Sequence, residues 1–421
     1  MQRKKSRANR PFLDPAAENR RRLKSTRYSS IAGVAVCSYW FCFGIPIAWD
    51  IPLFWLAGAT AWCATQFNRD KVSHRYFQLL GFFTVAILLS IPAAPDTLRS
   101  LHFFTVLLPA WMVFYLLSEH ASETQLLRLT SCLVLVASLL GLWLLWTAWR
   151  VHSGGPAEWV EASGITFFRV PNDATMLAIL CPFAFASLLR KPLSPAGISG
   201  ILCIVIVVVA AVVYRSRLSI LLLVIALGTS GILMVGRKYA ILGSLVLISL
   251  VFAVDYLTGG FLIAKFSSTW DSRLPLWLAS WCLFLKAPIF GNGPGSYLLM
   301  YRECLAQSVA EGVIQLADFR IAPWAHNLYL EVLGEQGVFG FISLIILLSY
   351  GIVSSYRLSR PLEGELRRLN SSNIASLIAF CVAANFELSL WRQWVSVLLF
   401  TQVGIAAGIY HVYQTKRGFN E

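Results

Sequence analysis

Residues 326–353 read HNLYLEVLGEQGVFGFISLIILLSYGIV, a long apolar run that begins directly after a histidine and carries two acids near its start. About 20 apolar residues cross the roughly 30 Å hydrocarbon core of a bilayer, so this run is long enough to span it as a helix. A long loop between two predicted spans ends at His326. The sequence therefore predicts a membrane helix whose first residues stand beside a titratable imidazole.

The rest of the chain shares this apolar character. Of its 421 residues, 57% are hydrophobic and 13% are charged, and the mean hydropathy is +0.65. Soluble domains are about 45–50% apolar, so the composition predicts an all-α polytopic membrane protein. Twelve spans are expected, at 29–48, 50–67, 76–93, 101–118, 129–149, 174–189, 197–214, 218–236, 239–257, 327–353, 373–390 and 392–412.

Loops on alternate sides of these spans differ in charge. One set holds 24 of the 35 Lys and Arg residues and 8 of the 21 Asp and Glu residues, a net charge of +16, whereas the other set sums to −2. Basic loops stay in the cytoplasm, so both termini are expected there. The excess of basic residues is therefore explained by the membrane topology. We expect membrane lipids, and no nucleic acid, as partners.

The predicted spans divide the chain into five parts. These are a basic cytoplasmic segment (1–28), spans one to nine (29–257), a large outer loop with short helices (258–326), spans ten to twelve (327–412) and a cytoplasmic tail (413–421).

The large outer loop is too apolar and aromatic to be disordered. Its run 274–285 is too short to cross a bilayer, which favours an interfacial or loop-buried helix. The glycine-rich stretch 291–295 lacks the Lys-Ser/Thr ending of a nucleotide-binding loop. It predicts a turn, followed by a second helix from Ser296 to about Ala310.

Two of the nine cysteines, Cys282 and Cys304, fall in this outer loop. An oxidising compartment would permit a disulfide between them. Their spacing carries no geometry, however, so free thiols are the simpler expectation.

Basic residues are scarce on the outer side, yet several gather near span ends. Arg215 and Arg217 lie in the turn between spans seven and eight, and Arg273 precedes His326 in the large loop. A guanidinium offers fixed charge and paired donors to phosphate oxygens, and an imidazole can accept a proton near ambient pH. The alternatives are arginines that snorkel to the interface and a hydrogen-bonded structural histidine.

Glu331 and Glu335 lie one helical turn apart in the tenth span, where a carboxylate needs a partner or water. A helix-locking role is expected for Glu335 ahead of catalysis. No Asp-x-Asp, His-x-x-x-His or Cys-x-x-Cys set occurs in the outer loops. No metal site is therefore predicted, and arginines would have to neutralise a diphosphate bound there.

The segment HNLYLE at 326–331, with EQG at 335–337 and Gly340, resembles the signature of the O-antigen ligase and polymerase superfamily. Other pieces are similar to that pattern in the same order: Ser216-Arg217, Ser272-Arg273 before Trp277 and Pro288, and Gly291-Asn292-Gly293. The resemblance covers most of residues 100–410. One departure is Arg169-Val170-Pro171-Asn172, which stands where the family often has an Asn-Pro-Asn-like stretch.

The resemblance implies a glycosyltransferase of GT-C-like architecture in the bacterial inner membrane, with its large loop in the periplasm and no cofactor. The donor would be a glycan on undecaprenyl diphosphate, transferred with inversion in a single displacement. Carried over residue by residue, Arg217 and Arg273, with Arg215, would bind the diphosphate, and His326 would activate the acceptor hydroxyl. The secondary candidates are Arg169, Asn327 and Glu335.

Members of this superfamily differ in the acceptor. An O-antigen ligase uses a hydroxyl of lipid A core oligosaccharide, whereas an O-antigen polymerase or a protein O-oligosaccharyltransferase uses another glycan repeat or a protein side chain. The compact chain, with one large outer loop directly before the His326 helix, favours the ligase. A twelve-helix secondary transporter is the alternative from another class, but it typically shows internal repeats and midplane ionisable residues, and neither is apparent.

A metal-free mechanism predicts that chelation leaves glycan transfer unchanged. Because the outer loops offer no evident ligand cluster, EDTA added to the purified protein should not alter the rate of transfer from a lipid-diphosphate donor. Loss of activity that Mg²⁺ restores would contradict this mechanism.

Overall fold

Apolar runs form helices throughout the part of the chain that the computed structural model describes, which is residues 29–41, 50–65, 74–152, 172–190, 192–214, 216–257, 268–310 and 323–420. The α-helices, in chain order, are α1 (Ser29–Phe41), α2 (Asp50–Ala64), α3 (His74–Ser90), α4 (Thr97–Thr105), α5 (Leu108–Tyr115), α6 (Glu123–His152), α7 (Asn172–Arg190), α8 (Pro195–Val213), α9 (Arg217–Met234), α10 (Arg237–Leu257), α11 (Ser268–Lys286), α12 (Ser296–Ala310), α13 (Leu328–Leu358), α14 (Gly364–Ala383) and α15 (Gln393–Asn420).

Seven helical segments in these ranges are long and apolar enough to cross a membrane: Arg75–Ala93, Thr97–Glu119, Glu123–Arg150, Pro195–Val213, Arg217–Met234, Leu328–Leu358 and Gln393–Arg417. Shorter apolar helices are Ser29–Phe41, Leu53–Ala64 and Ala174–Arg190. The prediction of an all-α polytopic membrane protein is confirmed for the described residues. The count of twelve spans and the GT-C-like architecture stay predictions, as do the five chain parts, of which 1–28 lies outside the described residues.

The predicted boundary of the eleventh span, 373–390, is wrong. Helix α14 begins at Gly364 and ends at Ala383. The N–H groups of Asn385 and Phe386 then bond to carbonyls only three residues earlier, which turns the chain. We call residues 384–392 the 384–392 connection. It is short, and apolar residues alternate with polar ones along it, so the predicted span ran through it.

Helix α13 lies at the centre of the part that carries the candidate site. It packs against α3, α11 and α14, and α14 packs in turn against α7 and α9. Buried polar side chains join these helices: Ser376 Oγ donates to the Ile179 carbonyl (2.7 Å), and Gln402 Nε2 donates to Ser376 Oγ (2.6 Å). Hydrogen bonds of this kind hold helices together in a bilayer. Lipid tails are as apolar as the side chains there, so the hydrophobic effect does not favour contact between helices. We call the end of the bundle at which α9 and α13 begin the site end.

Helix α13 is broken at Gly337, whose φ of 65° and ψ of −169° are open to glycine alone. The break frees backbone groups, and the segment Pro288–Gly293 pairs with them. Val338 N donates to the Pro288 carbonyl (2.9 Å), and Gly293 N donates to the Glu335 carbonyl (2.8 Å). An irregular backbone at membrane depth must be satisfied by protein in this way. The glycine-rich turn is therefore a docking element for α13.

The glycines at this junction are required by close contact. A Cβ at Gly337 would lie 2.3 Å from the Ile289 carbonyl oxygen, and one at Gly291 would lie 2.3 Å from Gln336 N. Gly291 itself has a φ of +78°. Backbone therefore meets backbone here with no space for a side chain.

The predicted loop helices are present as α11 and α12, and α12 runs from Ser296 to Ala310 as expected. Helix α11 begins earlier than expected, at Ser268, so Pro275 lies inside it. Cys282 and Cys304 form a disulfide that joins the two helices. The expectation of free thiols is therefore wrong, because packing of α11 on α12 brings the two Cα atoms within 5.7 Å.

Replacing Gly337 by Ala should destabilise the protein strongly. The backbone conformation alone costs about 1–3 kcal/mol for a residue with a Cβ, and the overlap with Ile289 forces the docked segment to shift. Gly243→Ala in α10 is the matched control, because nothing lies within 4 Å of its added Cβ. Thermal unfolding in detergent should show a large loss for Gly337→Ala and no loss for the control. Equal melting temperatures would contradict the close docking.

Candidate active site

His326 holds an uncommon backbone conformation just before α13. Its φ is +51°, the one positive φ at a non-glycine residue in the described part of the chain. L side chains rarely adopt this region, although His does so more readily than most. Such conformations persist where surrounding structure holds them and are concentrated at functional sites. Here the Leu328 N–H donates to the Ala384 carbonyl (2.8 Å), which ties the start of α13 to the 384–392 connection.

Glu387, in that connection, contacts two of the residues singled out in the sequence. Its Oε1 lies 3.3 Å from His326 Nδ1, and its Oε2 accepts a hydrogen bond from Arg273 Nη2 at 3.3 Å. The Glu387 side chain is only 10% exposed, against 30% for His326 and 23% for Arg273. A carboxylate facing Nδ1 favours the proton on that nitrogen. In the neutral imidazole, Nε2 is then the nitrogen with a free lone pair.

Arg217 completes the charged group. It is the first residue of α9, where Ser216 caps the helix by accepting from the Ser219 N–H. Burial lowers the pKa of the Arg273 guanidinium, the Glu387 carboxylate raises it, and the charge of Arg217 lowers it. Arginine keeps its proton in proteins, so these effects report which charges surround Arg273. The structure thus brings Arg273 and His326 into contact with Glu387, and Arg217 lies close enough for its charge to act on Arg273.

Two buried carboxylates in α13 hold the surrounding segments. Glu331, 1% exposed, accepts from Ser389 Oγ (2.6 Å) in the 384–392 connection. Its other oxygen, Oε2, has no hydrogen-bond partner among the described residues. Glu331 therefore ties α13 to the connection that carries Glu387.

Glu335 makes the equivalent contacts one turn further along α13. Its carboxylate accepts from the Tyr297 N–H (2.9 Å) at the start of α12 and from the Trp391 indole N–H. It thereby occupies the N-terminus of α12, while Ser296 Oγ has no partner among the described residues. Both Glu335 oxygens are engaged in structural contacts, away from the His326 ring.

The remaining sequence candidates have different positions. Asn327 caps α13, since its side chain accepts from the Leu330 N–H at 3.1 Å. Arg215 and Arg169 lie outside the described residues. Among the described residues, no group of three or more His, Cys, Asp or Glu side chains could hold a metal ion. The charged group at the site end is suited to binding an anion and moving a proton.

Sequence reasoning missed Glu387. It falls in the 384–392 connection, which the hydropathy pattern assigned mainly to a span. The available signal was Glu387 itself: a carboxylate only three residues from the end of a predicted span is at an interface or needs a partner.

Residues 202–345 match the family model described as O-antigen ligase. The resemblance noted in the motifs is confirmed over this stretch, which contains Arg217, Arg273 and His326, whereas Glu387 lies beyond it. Over these residues the chain is similar to the O-antigen ligase family, and its long apolar helices are typical of a multi-pass membrane protein. No curated protein matches the chain.

Replacing Asn327 separates its capping contact from any chemical role. Asn327→Ala should lower the free energy of unfolding by about 0.5–2 kcal/mol, because the cap of α13 is lost. Asn327→Ser, which can also cap, should restore most of that stability and, if capping is the whole role, the activity as well. Thermal unfolding and activity are measured on the same preparations. Activity absent from the stable Ser variant would assign Asn327 a second role.

Proposed function

We propose that this protein is an O-antigen ligase that transfers a polysaccharide from undecaprenyl diphosphate to a hydroxyl of lipid A core oligosaccharide. The observation that carries the proposal is the contact of one carboxylate, Glu387, with both His326 and Arg273. It joins a candidate base to a candidate anion-binding cation. The O-antigen ligase match over both residues supplies the reaction class.

Arg273 and Arg217 are proposed to bind the donor diphosphate. Cleavage at the anomeric carbon leaves negative charge on the bridging oxygen of the leaving diphosphate. Guanidinium groups placed beforehand stabilise that charge without reorganising, and removal of one such donor typically costs about 3–4 kcal/mol. Arg215 is proposed as a third contact and Arg169 as a secondary one.

His326 is proposed to act as the base. The acceptor oxygen attacks the anomeric carbon, its proton passes to Nε2, and the bond from that carbon to the diphosphate oxygen breaks. Glu387 supports this role, since it faces Nδ1 and stabilises the imidazolium that forms. One displacement of this kind inverts the configuration of the sugar. No residue has to form a covalent glycosyl intermediate, and no metal step is required.

We propose that the protein lies in the inner membrane, with the site end facing the periplasm and both termini in the cytoplasm. The charge difference between the two sets of loops supports this orientation. Both substrates are anchored in lipid. A site at the ends of helices α9 and α13 lets each tail remain in the bilayer during the reaction.

Transfer in vitro tests the proposal directly. Purified protein is given a lipid-diphosphate donor with lipid A core and lipid-linked repeat units as competing acceptors. We expect label on lipid A core. Label found only in longer lipid-linked glycan would favour the polymerase, and label on protein would favour the O-oligosaccharyltransferase.

Single substitutions test the residues. His326→Ala should lower the rate by about 10²–10⁴-fold, and Arg217→Ala or Arg273→Ala by about 10²–10³-fold. Glu387→Gln keeps the shape but removes the charge, and should lower the rate with little loss of stability. Arg302→Ala in α12, an exposed arginine away from the group, is the control. Wild-type transfer by any site variant would remove that residue from the proposed mechanism.

A further inference from the structure

Two arginines meet one carboxylate where α7 ends and α14 begins. Arg190 is the last residue of α7, and Glu365 and Arg368 lie among the first five residues of α14, which packs against α7. Glu365 Oε1 lies 3.1 Å from Arg190 Nε and 2.6 Å from Arg368 Nη2. We call Arg190, Glu365 and Arg368 the Arg-Glu-Arg group.

The group lies at the end of the bundle opposite the site end. The Ala384 carbonyl, just past the last residue of α14, accepts from the Leu328 N–H at the start of α13. The 20 residues of α14 separate its two ends by about 30 Å. The Arg-Glu-Arg group is therefore remote from His326 and takes no part in the chemistry proposed there.

The group carries more positive than negative charge. Two guanidiniums share one carboxylate, and Glu363, the nearest other acid in the sequence, forms no ion pair with either arginine. Both contacts use the same carboxylate oxygen, so the guanidiniums are held side by side, where like charges repel. Ion pairs between partly exposed side chains contribute little stability by themselves. A second anion between the arginines would offset the repulsion that remains.

Arg368 also has a donor without an acceptor. Its Nε is buried and has no hydrogen-bond partner among the described residues, although its Nη2 donates to Glu365. A buried donor that lacks an acceptor is costly. Each guanidinium carries five N–H groups, and Glu365 contacts one nitrogen of each arginine. The remaining donors suit an anion with several oxygens, as phosphate is.

The surroundings of the group match a lipid head group. Leu193, three residues after Arg190, is 92% exposed, so an apolar side chain is available to acyl chains beside the two cations. Arg357, Arg360 and Arg367 lie at the same end of the bundle and make this surface basic. Lipid phosphates lie at the level at which membrane helices end, and basic pockets between such helices bind anionic head groups.

We propose that the Arg-Glu-Arg group binds the phosphate of an anionic membrane lipid. The phosphate contacts both guanidiniums and thereby bridges α7 and α14. A zwitterionic head group brings its own cation, which the arginines repel, so anionic lipids are selected. The inference does not rest on the proposed function, because it concerns the other end of the bundle and involves no glycan.

Lipid titration tests this assignment. Native mass spectrometry of the full chain in detergent gives the Kd for phosphatidylglycerol and for zwitterionic phosphatidylcholine, and wild-type protein should bind the former more tightly. Arg190→Gln and Arg368→Gln should each raise the Kd for phosphatidylglycerol by about fivefold, the effect of one basic residue near a lipid surface. Arg367→Gln is the matched control, since this exposed arginine adjoins Arg368 but lies outside the group. Equal losses in all three variants, or no loss in any, would overturn the proposal.

Glu365→Gln separates lipid binding from a purely structural role. Loss of the carboxylate frees both guanidiniums and adds one unit of positive charge, so the Kd for phosphatidylglycerol should fall by about fivefold. If the group serves only to join α7 to α14, the same change loosens that contact and binding does not improve. A Kd equal to or above the wild-type value would therefore overturn the proposal.

A last arm identifies the source of the phosphate. Thermal unfolding of wild-type protein in detergent is followed with phosphatidylglycerol or with inorganic phosphate at the same concentration. We expect phosphatidylglycerol to raise the melting temperature, Arg190→Gln and Arg368→Gln to reduce that rise, and inorganic phosphate to have no effect. Equal stabilisation by inorganic phosphate would assign the group to a free anion and overturn the lipid assignment.

Discussion

Two carboxylates buried in an apolar helix constrain the whole site end. A carboxylate away from water is costly unless donors surround it. The donors for Glu331 and Glu335 come from two segments that are distant in the sequence: the start of α12 and the 384–392 connection. Apolar packing has no direction and could not align these segments. Hydrogen bonds to the two carboxylates are directional and do align them. The candidate active site is built from the segments that supply the donors.

The break in α13 makes this arrangement possible. In an unbroken helix the carbonyl of Glu335 would accept from an N–H four residues later, whereas here it accepts from Gly293. The glycine-rich segment therefore docks on the turn of α13 that carries Glu335, and the Glu335 side chain occupies the N-terminus of α12. Backbone and side chain of a single residue fix the approach of the large loop. This explains why a turn that lacks any nucleotide-binding feature still requires glycine at Gly291 and Gly337.

The sequence predicted most helices near their observed positions, because an apolar run long enough to cross a bilayer satisfies its backbone groups there as a helix. It placed α13, the loop helices and the turn at 291–295 near their observed positions. It could not predict that this turn pairs with Gly337, nor that Cys282 meets Cys304, because both depend on how distant helices pack. Glu387 was lost for a different reason. A connection of nine residues in which apolar side chains alternate with Asn385, Glu387 and Ser389 does not separate two predicted spans, and one acid within it looks like a tolerated charge at a span end.

Charge balance around Glu387 links donor binding to proton transfer in the proposed reaction. Arg273 is substantially buried, and an uncompensated guanidinium there would be costly. Glu387 offsets that cost while the donor is absent, and Arg217 adds a second positive charge close enough to act on Arg273. A diphosphate bound by both arginines repels the carboxylate. On the proposed function, the Nδ1–H of His326 is then the partner that remains to Glu387, so the same carboxylate connects the diphosphate site with the candidate base.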